Sequence, residues 1–527
     1  MCGGCKYRGE DQGCENNLIK ASYGSTGKLQ EEHNIFDNQS LEEATSDMVS
    51  SKDDSIKASL PNGKCAIIEK GMSCGEAFDS GYESEDVDSK DTLSKLLQVT
   101  TDKNANGVLS LNSKIIAPFK CFLNDEGVLY LDFFYHRVSR LITIGPDKYN
   151  HLLNTFIPLA MTSAPIQLAL SSWGNSSLLS TMDQDYAKQS MGLAFLHVQG
   201  LYKSPRRLER KTFYELLCFF IIAMSTKIAS GDTFYWKQFL SLSQKFIHEY
   251  GSLKTLLSDF SFSNEIKWIL SNIQYHADLS NDPKLFENEF MHEYYDVVEQ
   301  TNLFQDSDFG IDPSQGCLQP MYFTLRKINI QALKLEKKWD KIDRIRLRSK
   351  EKFPSENISF LKHEYYNHLM EVSHLLDGII EECKPIDSQL FALVKTESEI
   401  GLHMDLFELH RLVCFLYVLL RIKKIPPCSP APQRLLIEAM EKLKILFETR
   451  LATCLAFPYL ICGITCCDDD RDIMRQLLLD VIARYPVRNI KHIYSMVEKF
   501  WVDNPRGDLC LSWYECTKKN GSDVCFS

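Results

Sequence analysis

The chain has no long apolar run. Its longest, Phe213–Met224 and Leu412–Leu420, are too short to span a bilayer. They are flanked by Lys211 and Lys227 and by Arg411 and Arg421. Nor is there an apolar leader, since Met1 is followed by the polar CGGCKYRGEDQG. These absences lead to the expectation of a soluble, intracellular protein with no membrane partner. No G-x-x-x-x-G-K-S/T or G-x-G-x-x-G loop is present to cradle phosphates. No useful run of alternating β-branched residues follows Gly127, and no fixed-period repeat stands out. Ser, Cys and His are abundant, yet none sits in a recognisable nucleophile setting.

Positive charge is not in excess: the formal net charge is −11. It is concentrated in residues 31–91, where sixteen Asp and Glu face five Lys and Arg. The rest is balanced and gives no sign of a bulk nucleic-acid-binding surface. The 527 residues, 44% of them apolar, suffice for a large core and allow roughly two to four domains. Eighteen cysteines are scattered too widely for a disulfide framework. Cys218, Cys414 and Cys462 lie in apolar helical runs and read as small core hydrophobes in a reducing compartment.

Residues 15–115 are rich in Ser, Asn, Asp, Glu and Gly and poor in large apolar side chains. Such a stretch buries too little surface to offset its ordering entropy, so it is expected to be a disordered linker. Within it, EAFDSGYESEDVDS (Glu76–Ser89) sets Phe78 and Tyr82 among acids. Either a solvated spacer or an activation segment that folds on a partner has this composition.

From Gly127 onward the pattern is helical. Leu129–Ile144 spaces Leu131, Phe134, Tyr135, Val138, Leu141 and Ile142 by threes and fours. Lys211–Ser230 closes at Gly231-Asp232, and Thr233–Tyr250 closes at Gly251. Helices are further expected over Met321–Arg348, Glu364–Glu382, His403–Ile422, Gln433–Leu451, Asp472–Tyr485 and Ile490–Phe500. The prolines of KKIPPCSPAP separate His403–Ile422 from Gln433–Leu451. The fold class is all-α, one large multi-helix domain behind an acidic linker.

Four constellations carry candidate chemistry. CDDDRD (Cys467–Asp472) puts Asp468 and Asp472 four apart, a spacing with which some all-α enzymes hold magnesium. No second acidic cluster of suitable spacing accompanies it, so the aspartates are expected to cap the helix that begins near Arg471. KLEKKWDKIDRIRLRSKEK (Lys334–Lys352) has the basic content of an import signal or a nucleic-acid helix. Glu336, Asp340, Asp343 and Glu351 interrupt it at pairing distance, which favours a solvated, salt-bridged face. His403 with His410, and His363 with His368, lack Cys or His partners at ligand spacing and read as surface or core residues. At the N-terminus Cys2, Cys5 and Cys14 offer three thiolates to zinc, one short of a closed tetrahedral site. An unstructured thiol-bearing tail is the other reading.

Six segments, in order, resemble the fungal-specific transcription factor regulatory domain. They are FFYHRVSRLI (Phe133–Ile142), NTFIPLAMTSAPIQLALSSW (Asn154–Trp173) and FYWKQFLSLSQKFIHEYG (Phe234–Gly251). Then come IDPSQGCLQPMYFTLRKI (Ile311–Ile328), FLYVLLRIKKIPPCSPAPQRLLIEAMEKL (Phe415–Leu443) and FPYLICGITCCDDDRDIMRQLL (Phe457–Leu478), with Trp501 and Trp513 beyond. The nearest subfamily resembles the yeast activators of lysine biosynthesis and GABA catabolism. In this light FPYLICG is expected to be a packed core turn, anchored by Phe457 and Tyr459, with Gly463 allowing close backbone approach.

The resemblance implies a nuclear transcriptional regulator of metabolic genes and not an enzyme. It implies a binuclear zinc cluster that contacts DNA, dimerisation, and contacts with the transcription machinery and a small-molecule inducer. CGGCKYRGEDQGC resembles the second half of such a cluster, so Cys2, Cys5 and Cys14 carry over as metal ligands of an incomplete one. The first half and its basic recognition helix are absent, and Glu10 and Asp11 stand where a DNA-facing element wants positive charge. Either a full cluster lies upstream of Met1, or direct DNA binding has been lost and the protein works as a cofactor-like regulator. The expected division is a cluster half at 1–14, the acidic linker at 15–127, the helical domain at 128–516 and a tail at 517–527.

Overall fold

The computed structural model describes residues 122–178, 184–201, 208–232, 235–280, 282–301, 303, 312, 314–348, 355–387, 390, 397–485 and 488–511. Cys2, Cys5, Cys14, the acidic linker, Trp513 and the tail therefore lie outside the described residues. Among the described residues the structure is all helix, with no strand.

The helices of seven residues or more are α1 (Asp125–Phe133), α2 (Ala164–Ser176), α3 (Gln184–Leu201), α4 (Arg210–Ala229) and α5 (Tyr235–Tyr250). Next are α6 (Leu253–Asp259), α7 (Asn264–Asp278), α8 (Glu289–Thr301), α9 (Gln319–Arg348) and α10 (Ser355–Glu382). The last are α11 (Glu397–Tyr417), α12 (Pro430–Phe447), α13 (Ala456–Thr465), α14 (Asp470–Arg484) and α15 (Asn489–Asp503). The stretch after α1 continues as a π-helical turn, Phe134–Val138, and a short helix, Ser139–Leu141.

Two hydrophobic cores form. The first gathers apolar side chains from Leu123 to Leu303. Aromatic rings fill it: Phe213 stacks on Phe246 at 4.6 Å, and Phe195 meets Phe219 edge-on at 5.2 Å. At its centre is α4, long and apolar enough to cross a membrane. The run Phe213–Met224 is too short for that, but the helix around it is not. Its residues from Leu216 to Met224 are all buried among neighbouring helices, as in the core helix of a globular domain.

The second core runs from Cys317 to Trp501, with Ile144, Tyr275 and Leu279 reaching in from the first half. At its centre is α13, every residue of which is buried. The FPYLICG piece is thus a helix and not the expected turn. Pro458 stands in the first turn, where its missing N–H is not needed, so the sequence tolerates helix there.

One helix belongs to both cores. From α7, Ile266, Trp268, Ile269, Leu270, Ile273 and Ala277 enter the first, whereas Tyr275 enters the second. Every residue from Ile266 to Asp278 is buried, polar ones included. Distant partners satisfy Ser271 and Gln274 among them. Asp312 Oδ1 accepts from the backbone N–H groups of Ser314 and Gln315, at 2.8 and 3.0 Å, which shapes that loop. The loop then docks on α7: Ser271 donates to Asp312, and Gln315 Nε2 donates to the Ser271 carbonyl at 3.0 Å.

Candidate ligand cleft between the two cores

A cleft opens where α7 passes from one core to the other. Val138, Ile142, Leu152, Trp173, Ile228 and Ala229 line it from the first half. Thr453, Cys454, Ala456, Val481, Tyr485 and Ile490 line it from the second, and α7 supplies Asn272, Tyr275 and His276. Its atom-free space is about 1030 Å³, solvent-filled mouth included. The halves are joined beside it by a backbone hydrogen bond, Arg488 N–H to the Ala229 carbonyl at 3.2 Å.

Among the described residues no Asp, Glu, Lys or Arg lines this space. His276 is neutral at pH 7, because burial lowers its pKa to about 4 against a smaller upward pull from its hydrogen bond to Asn272. Its Nδ1 lies 2.8 Å from the Asn272 carbonyl oxygen, which can only accept. Nδ1 therefore carries the proton, and Nε2 of the neutral ring is an acceptor. Burial likewise pushes the Cys454 thiol up to about 12, so it is protonated. Asn272 Oδ1 is buried with no hydrogen-bond partner, at a typical cost of about 1–3 kcal/mol. A neutral, mostly apolar concavity with a few fixed hydrogen-bonding groups is suited to binding a small molecule.

The Phe457–Asp472 block plays a different part. Gly463 lies against α15: a Cβ there would come within 2.8 Å of Val497 Cγ2. Just beyond, Asp468 takes a left-handed φ of +46° and turns the chain into α14. The expected side-chain cap is not made. Asp469 at the N-cap position is already helical in backbone (φ −63°, ψ −24°), and its carboxylate accepts no hydrogen bond from the helix. Asp470 and Asp472 act through the helix dipole in the first turn. The working residue of the run is Arg471, which donates to the carbonyls of Cys466, Asn504 and Pro505 at 3.1, 2.8 and 2.9 Å. Among the described residues no three His, Cys, Asp or Glu gather as a metal site.

A model of the fungal specific transcription factor domain matches residues 129–527. The chain belongs to that family. It is a fungal transcriptional regulator. It is similar to an uncharacterized transcriptional regulatory protein of Schizosaccharomyces pombe, 24% identical over 404 residues, 76% of this chain and 71% of the relative. It is also similar to the transcriptional activator protein UGA3 of Saccharomyces cerevisiae, 21% identical over 427 residues, 73% of this chain and 75% of the relative. No solved structure matches it.

In this regulator the other sequence candidates fall on structural tasks. His403 and His410 are buried, each lowered to about 4 by desolvation, and His410 Nδ1 sits 2.9 Å from the Leu406 carbonyl. His363 and His368 are surface residues of α10 paired with Asn367 and Glu371. Glu336 does not pair within the basic run as expected: it meets the buried Arg421 of a later helix at 3.7 Å. The sequence reading missed Asn272 and His276. In NEIKWILSNIQYHAD, Ile266, Ile269, Leu270, Ile273 and Ala277 form one apolar stripe, and Asn272 and His276 fall outside it, where polar residues read as a solvated face.

Proposed function

We propose that this regulator acts in the nucleus as a homodimer whose helical body is controlled by a small molecule bound in the cleft. The observation that carries the reading is the cleft itself, a neutral cavity walled by both cores of a transcription factor domain. The acidic segment at 31–91 is the part suited to contacts with the transcription machinery. The body is not an enzyme on this reading, in keeping with relatives that are transcriptional regulators. The division into 1–14, 15–127, 128–516 and 517–527 belongs to the same proposal.

DNA contact is proposed to run through a zinc cluster to which Cys2, Cys5 and Cys14 contribute thiolates. Three thiolates hold zinc in a closed site only with a ligand from elsewhere. Dimerisation then sets two clusters against two half-sites. A second reading, a cofactor-like regulator without DNA contact, is favoured by Glu10 and Asp11 between Cys5 and Cys14.

Zinc content and salt-titrated DNA binding of the purified chain separate the two. Bound zinc, lost on Cys2→Ser and Cys5→Ser, with affinity falling as salt rises, supports the first. No zinc and no DNA binding at low salt, with reporter control retained when the chain is tethered to a foreign DNA-binding module, supports the second. Failure of the tethered chain to change reporter output would remove the regulatory reading of the helical body.

A further inference from the structure

The cleft is selective in kind, and its lining says for what. We infer that it binds a neutral, largely apolar molecule of drug-like size bearing a hydroxyl group, the chemistry of a terpenoid alcohol. This deepens the effector-site reading above and rests on it. Three observations converge. First, among the described residues no charged side chain lines the space, so an ammonium or carboxylate entering it would be desolvated without a counter-charge from them. A zwitterionic amino acid or a phosphorylated metabolite is disfavoured on that ground.

Second, the hydrogen-bonding groups present are neutral and specific. The Nδ1–H bond to the Asn272 carbonyl leaves His276 Nε2 as an acceptor for a hydrogen bond from the ligand hydroxyl. The Asn272 carboxamide, with Oδ1 unpartnered, stands one helical turn away on the same helix face. Third, the rest of the lining is mostly apolar, from Ile142 and Ile228 on one side to Val481 and Ile490 on the other, with neutral Ser225, Ser314, Thr453 and Asn489 among it. These walls belong to different cores. An occupant that fits one spacing of the cores better than another shifts the population between them, which is how occupancy would reach the rest of the regulator.

The test uses the purified full chain and N-phenyl-1-naphthylamine, a neutral probe that brightens on leaving water. Saturable binding at one site is expected. Farnesol should displace the probe at least tenfold more readily than farnesoic acid, and 4-aminobutyrate should not displace it. Thr453→Trp and Ser225→Trp, half-buried positions on opposite walls, should each abolish binding while circular dichroism melts stay cooperative. If one variant fails to fold, the other still decides. His276→Phe should keep the probe but reduce the preference for farnesol over its hydrocarbon farnesene by about tenfold.

Equal displacement by farnesol and farnesoic acid overturns the inference. So does full binding by both folded tryptophan variants, or absence of probe binding by folded wild type. Those results leave the regulatory reading standing, because the tethered reporter judges it without any ligand. Loss of reporter control with ligand binding intact would do the reverse.

Discussion

Trp501 Nε1 donates to the Gly463 carbonyl across 2.8 Å, tying α15 to α13 by the one side-chain donor that an indole has. The bond needs the two helices closer than a side chain at 463 would allow. Gly463 supplies that closeness, since its missing Cβ faces Val497 one turn before the tryptophan.

Gly463→Ala should therefore lower stability by about 1–3 kcal/mol through overpacking, despite the better helix propensity of Ala. Val497→Ala in the same chain should recover part of that loss by making room. Urea unfolding of the two single variants and the double variant gives the coupling. Additive losses would show that the contact does not limit the approach.

Arg471 and Asp469 should behave in opposite ways. Arg471→Ala strips donors from three carbonyls and should cost about 1–3 kcal/mol, with faster proteolysis near Pro505. Asp469→Ala removes no hydrogen bond and should stay within about 0.5 kcal/mol. Asp468→Ala should leave magnesium affinity unchanged in isothermal titration; loss of specific magnesium binding would return the acidic run to the list of metal sites.

Asp278 makes stability depend on pH. Burial raises its carboxyl from 3.8 to about 7, outweighing hydrogen bonds from Tyr295 and Gln274 and the nearby Arg326, 3.9 Å away. Across that interval the folded chain keeps a proton that the unfolded chain has released. Its contribution is full below about pH 4 and declines as pH rises toward 7. Asp278→Asn should flatten this decline by on the order of 2 kcal/mol, read from urea midpoints at pH 5 and pH 8. Parallel pH dependence in wild type and variant would refute the assignment.

Cysteine labelling should divide along burial. Cys218, Cys414 and Cys462 are buried, and desolvation raises all three thiols. Iodoacetamide with peptide mapping should mark Cys428 and Cys510 in the native chain and the three buried ones only in urea. Rapid native labelling of Cys462 would contradict the packing of α13.

Helix placement was largely legible because its signals are local. The apolar window Lys211–Ser230 with its Gly-Asp stop became Arg210–Ala229, and Thr233–Tyr250 before Gly251 became Tyr235–Tyr250. The turn expected at FPYLICG is a helix instead, because Pro458 lies in its first turn, while the close approach expected at Gly463 is there as a contact with α15. The cleft was not legible at all. Its lining is drawn from residues as far apart as Val138 and Ile490, and no spacing rule joins them.

The amino-acid sequence alone determined the all-helical class, most helix limits, the acidic charge at 31–91 and the order of segments that mark the family. Each depends on neighbours within a few residues or on composition. Tertiary structure decided which polar groups lost their water, which histidines stay neutral, and where two cores leave a space between them. Those outcomes turn on desolvation and close packing, and both are set by side chains hundreds of positions away. For Asn272 and His276, the same letters that suggest a wet helix face become, once α7 is enclosed by both cores, the polar lining of an apolar cleft.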